Sequence, residues 1–67
     1  MNNNVIKKCK SLNDINLKIL DEMDEIFNDL KKCDNVHKKH DLMLLLETKL
    51  IIYYGNLKTI NTLIKED

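Results

Sequence analysis

The stretch Leu42-Met43-Leu44-Leu45-Leu46-Glu47-Thr48-Lys49-Leu50-Ile51-Ile52-Tyr53-Tyr54 decides how this chain is read. Within it, Met43, Leu46, Leu50 and Tyr53 recur at alternating spacings of three and four, and the series runs on through Leu57, Ile60 and Ile64. That spacing marks one face of an α-helix. Leu44, Leu45, Ile51 and Ile52 fall on roughly the opposite side of the same helix. A helix apolar nearly all round is one that is covered nearly all round. One neighbouring helix covers a single face, so a second cover is expected for Leu44, Leu45, Ile51 and Ile52. The N-terminal residues Val5 and Ile6, a second copy of the chain or another protein would each supply it.

Upstream, Val5, Cys9, Leu12, Asn16, Ile19, Met23, Ile26, Leu30 and Cys33 alternate four and three without a break. Ile15, Leu20 and Phe27 widen that stripe beyond a two-stranded seam, towards what a bundle requires. Asp14, Asp21, Glu22, Asp24, Glu25 and Asp29 all avoid it. Ser11 with Asp14 three residues later is a start signal, and Lys31 and Lys32 lie where the helix dipole favours cations. The first helix is therefore predicted over about 12–33, with residues 1–10 a flexible or helix-extending segment.

The two series are out of phase. Continuing the first would select His37, His40 and Leu44, not Met43 and Leu46. A break is therefore predicted near Asp34 to Val36, where Asn35 suits the end of a helix. The second helix is predicted over about 38–54. Gly55-Asn56 then either ends it, leaving a short third helix over 57–65, or lies within a helix that continues. The expected fold is an all-α antiparallel hairpin over residues 1–67, one small domain, assembling into a helical bundle.

Composition narrows the function classes. The chain has 67 residues, one glycine, no proline, 43% hydrophobic and 33% charged residues, a globular composition with little turn chemistry. A core this small contributes roughly 3–5 kcal/mol, and such chains often rely on oligomerisation, metals or disulfides. Alanine, arginine, glutamine and tryptophan are absent while Lys, Asn, Ile, Leu and Asp dominate, the usage of an AT-rich genome. Eleven lysines balance eleven acids, and that zero net charge without arginine argues against a dedicated nucleic-acid binder. The apolar run is too short for a bilayer, which needs about 20 residues, and residues 1–11 lack a signal-peptide core. A cytoplasmic location is the expectation.

The chemistry-bearing residues are few. Cys33, His37 and His40, beside Asp34 and Asp41, have the residue types of a zinc site, and they share a face if helix runs through them. The predicted break works against that, as does the lack of a fourth ligand, so no metal and no cofactor is expected. Cys9 and Cys33 lie about 36 Å apart on one continuous helix, too far for a disulfide. Lys31, Lys32, Lys38 and Lys39 form a basic turn, and Lys7, Lys8 and Lys10 a second cluster. Ser11 is the only serine, there is no glycine-rich phosphate loop, and Asp21 and Glu25 lie on a solvated face, so no enzyme is expected.

In size and shape the chain resembles the helical hairpins of dimeric plasmid-copy regulators, small sporulation phosphatases and secretion-system cochaperones. The Ser-x-x-x-Asp signature of the phosphatases is missing, its nearest counterpart being His37-Lys38-Lys39-His40-Asp41. The expectation is a non-enzymatic protein-interaction module: a regulator, inhibitor, cochaperone or assembly subunit that pairs with itself or with another protein. Its surface would be Leu44, Leu45, Ile51 and Ile52 with Val5 and Ile6. The alternative is electrostatic binding of RNA or an anionic membrane through the basic turn and N-terminus.

Overall fold

The computed structural model describes Met1 to Asp67 as two long helices packed antiparallel, without strands. Helix α1 spans Asn3–Lys32 and helix α2 spans Val36–Glu66. The hairpin measures 50 × 15 × 10 Å between Cα atoms, with a radius of gyration of 15.5 Å. A compact chain of this length would have a radius near 11 Å.

Both helices are longer than the spacing predicted. The first starts at Asn3 because Asn2 caps it: its Oδ1 accepts a 2.7 Å hydrogen bond from the Asn4 N–H. Ser11 and Asp14 therefore lie inside the helix, and residues 1–10 extend it. The apolar repeat from Val5 gives those early turns something to pack, which a local start signal does not. At the other end Cys33 falls outside the helix as its C-cap, its N–H donating to the Leu30 carbonyl at 3.2 Å. Lys31 and Lys32 occupy the last turn, where the dipole favours them.

The turn is Cys33-Asp34-Asn35, one residue earlier than predicted. Asn35 ends no helix: it opens α2, its Oδ1 accepting from the Lys38 N–H at 3.1 Å in the standard N-cap arrangement. Helix α2 then runs unbroken through Gly55. Of the two readings for residues 57–65, continuation is the one observed. Asn56 does not cap a third helix because its amide is engaged across the hairpin. Thr48, Thr59 and Thr62 return their hydroxyls to carbonyls four residues back, which keeps their polar groups satisfied within the helix.

Packing between the helices is thin. Only Asn16, Ile19, Met23 and Ile26 are buried, all on α1, and α2 buries nothing fully. Every member of the series Val5 to Cys33 is nevertheless buried or half-buried, so that stripe is the face turned to α2. On α2 the half-buried positions are Leu42, Leu46, Lys49, Leu50, Tyr53, Asn56, Ile60 and Leu63. This corrects the predicted contact face. Leu46, Tyr53 and Ile60 do turn inwards, but Met43 is 50% exposed and Leu57 and Ile64 are also exposed.

The rotation follows from two polar residues that hydrophobic counting passes over. Asn16, 3% exposed, donates through Nδ2 to the Tyr53 carbonyl at 3.3 Å and accepts from Asn56 Nδ2 at 2.8 Å. Lys49 Nζ pairs with Glu22 Oε2. Were Leu57 in the place of Asn56, the buried amide of Asn16 would lose a partner, at a cost of about 1–3 kcal/mol. Satisfying Asn16 thus sets which side of α2 faces inwards, and Met43, Leu50, Leu57 and Ile64 become a flanking row.

Candidate interaction surface

Three pairs fix which residues lie level across the hairpin. Asn2 meets Asp67, Asn16 meets Tyr53 and Asn56, and Glu22 meets Lys49. At 1.5 Å per residue on both helices, Ile6 is then level with Ile64, Asn13 with Leu57, Leu20 with Leu50, and Phe27 with Met43. All eight lie one step round from the packed seam, and in an antiparallel pair these rows fall on the same flank. The groove lined by Ile6, Cys9, Lys10, Asn13, Ile60 and Ile64 shows the two rows meeting at the terminal end. The opposite flank is mixed: Lys7, Lys8, Ser11 and Thr59 line it with Leu12 and Leu63 near the termini, and Glu22, Glu25, Asp29 and Lys49 with Ile26, Leu42 and Leu45 near the turn.

One broad face of the hairpin is therefore apolar from end to end, interrupted only by Asn13. Phe27 is 51% exposed, and Leu20, Met43, Leu57 and Ile64 are exposed as well. Leu17 and Tyr54, also exposed and level with each other, extend the face at mid-length. Lys10, Asp24 and Lys31 on α1 and Glu47 on α2 form its charged rim, with His40 on α2 at the level of Lys31.

The residues singled out from the sequence form a second, separate surface. Leu44, Leu45, Ile51 and Ile52 are 45–72% exposed and make a ridge that runs from the outer side of α2 round to the opposite flank, where Leu45 lies beside Glu22, Glu25 and Asp29. Val5 and Ile6 do not cover it. Val5 belongs to the α1 stripe facing α2, and Ile6 lies in the terminal groove of the broad face. The broad face is not visible in the sequence, although Met43, Leu50, Leu57 and Ile64 recur at seven-residue intervals. That row merges with Leu46, Tyr53 and Ile60 into one apparent contact face, and nothing in a single helix separates the two.

The total accessible surface is large as well, as an elongated hairpin with a thin core requires. The accessible surface is 5440 Å², against about 4,400 Å² for a compact monomer of this mass. Contiguous apolar patches beyond a few hundred Å² mark interaction sites in folded proteins.

The structure does not assemble the other candidate clusters. Cys33 leaves the helix and its thiol donates to the Asn35 carbonyl at 3.4 Å, while His37 and His40 are exposed on the first turns of α2. No three His, Cys, Asp or Glu side chains come together as a metal site. Cys9 and Cys33 are free thiols, both half-buried. The lysines of the turn, Lys31, Lys32, Lys38 and Lys39, are exposed, but Asp29 and Asp34 share the hollow between Lys32 and Lys38. Neither helix is long and apolar enough to cross a membrane. Comparison of the chain with known protein families, with characterised proteins and with solved structures returns no match.

Proposed function

We propose that this chain is a non-enzymatic protein-interaction module that acts through the apolar surfaces of its helical hairpin. The observation that carries this reading is the broad face. It runs the length of the molecule, is apolar at seven of eight positions in its two rows, and is exposed at six of the eight, only Ile6 and Leu50 being half-buried. A helical surface of this kind matches a facing helix or helix pair, whose side chains fill the spaces between successive turns. Regulation, inhibition or assembly would follow from which helical partner the face takes. The basic turn has less support as an anion site, because carboxylates of Asp29 and Asp34 lie among its lysines.

The test compares three variants for their mass in sedimentation and for the proteins they capture from native lysate. Leu20→Glu with Leu50→Glu charges the broad face and should abolish association. Leu45→Glu with Ile52→Glu charges the outer ridge and separates its role from that of the face. Glu at Lys31, Lys32, Lys38 and Lys39 should leave association intact. If both apolar variants keep the wild-type mass and captured proteins, the reading is overturned. Loss of binding with the lysine variant alone would establish the electrostatic reading instead.

A further inference from the structure

We infer that the occupant of the broad face is a second copy of this chain, packed with its turn at the opposite end, so that two hairpins close into an antiparallel four-helix bundle. The inference rests on the interaction-module reading and names its partner and geometry. Area and charge support it.

The face spans 50 × 15 Å between Cα atoms, and with its side chains that outline is large enough for the ~800 Å² of accessible surface each partner buries in a standard stable interface. A second hairpin of the same length covers it completely. Closed assemblies of identical chains are mostly two-fold, with one patch meeting itself. Two such arrangements are open to an elongated hairpin. With the axis along the hairpin, the turns lie at the same end and α1 of one copy faces α2 of the other. With the axis across it, the turns lie at opposite ends, and α1 faces α1 while α2 faces α2.

The rim charges separate them. In the first arrangement Asp24 comes level with Glu47 of the second copy at two symmetric places, so that like charges face one another there. In the second, full overlap puts the axis at mid-length of α1, which is Leu17, level with Tyr54. Leu17 then meets its own counterpart, Tyr54 does the same, and Lys10 falls opposite the second copy's Asp24 at two symmetric places. The rim is complementary to itself only with the turns apart, and charge complementarity of this kind sets orientation.

Sedimentation should give twice the 7.9 kDa chain mass. Spin labels at Asp34→Cys, in a chain with Cys9→Ser and Cys33→Ser, should be separated by nearly the full 50 Å of the molecule. Turns at the same end would bring them within about 20 Å, given helices packed 8–10 Å apart, and that result overturns the geometry. Lys10→Glu and Asp24→Lys should each weaken dimerisation about tenfold, the combined exchange restoring it. Tightening by Asp24→Lys alone would place Asp24 against Glu47 and overturn it again. A monomer at high micromolar concentration overturns the second copy. If the broad-face variant nevertheless alters the captured proteins, the interaction-module reading stands; if neither apolar variant alters them, it falls too.

Discussion

The two helices are nearly equal in length, at 30 and 31 residues, yet they relate to the core in opposite ways. Helix α1 is amphipathic in the ordinary sense: one apolar stripe, charges elsewhere, and all four buried residues of the molecule. Helix α2 is the more apolar of the two and buries none fully. Hydrophobicity alone therefore does not decide burial here. Angular concentration does, because a single neighbour covers only one face of a helix. The apolar residues of α2 are spread over more of its circumference than α1 can reach.

That contrast can be broken most severely at the α1 stripe. Ile26→Ala and Ile19→Ala should each cost about 2–4 kcal/mol, enough to unfold most of the population of a hairpin this thin, read as loss of helical circular dichroism in a urea titration. A smaller loss is expected at the polar layer. Asn16→Ala leaves the Asn56 amide without its partner and should cost about 1–3 kcal/mol. Replacing both with Leu should recover the stability but loosen the register, seen as broadened amide resonances.

Two further substitutions sharpen the comparison from the α2 side. Gly55 is inside a helix with open space where a Cβ would lie, so Gly55→Ala should stabilise by about 0.5–1 kcal/mol. A loss of stability would show that the Gly55 side of α2 is closed by a contact beyond the hairpin. Ile51→Ser, at a position 72% exposed, should shift stability by less than about 0.5 kcal/mol. A larger loss, rising with protein concentration, would show that the outer ridge is also covered.

Much of the hairpin is legible in the sequence. Eight of the nine residues in the series from Val5 to Cys33 form the inner face of α1, Cys33 being its C-cap, since a helix facing one neighbour carries a simple period. The phase break located the turn to within one residue. Helix ends were less accurate because caps compete: Ser11 and Asn2 are both capable N-caps, and the packing of Val5 and Cys9 selects Asn2. Gly55 gave no break because one glycine costs a helix only about 1 kcal/mol, less than its continued packing through Ile60 and Leu63 recovers.

The sequence by itself determined two helices, their antiparallel return and the fact that the second has more apolar surface than the first can cover. The tertiary structure decided which apolar residues are left over. On α2 the rows Leu46, Tyr53, Ile60 and Met43, Leu50, Leu57, Ile64 are equally apolar and adjacent, so no single-helix pattern ranks them. Asn16 ranks them from across the interface: its buried amide needs the Tyr53 carbonyl and the Asn56 amide. Meeting that need turns one row inwards and leaves the other as the broad face.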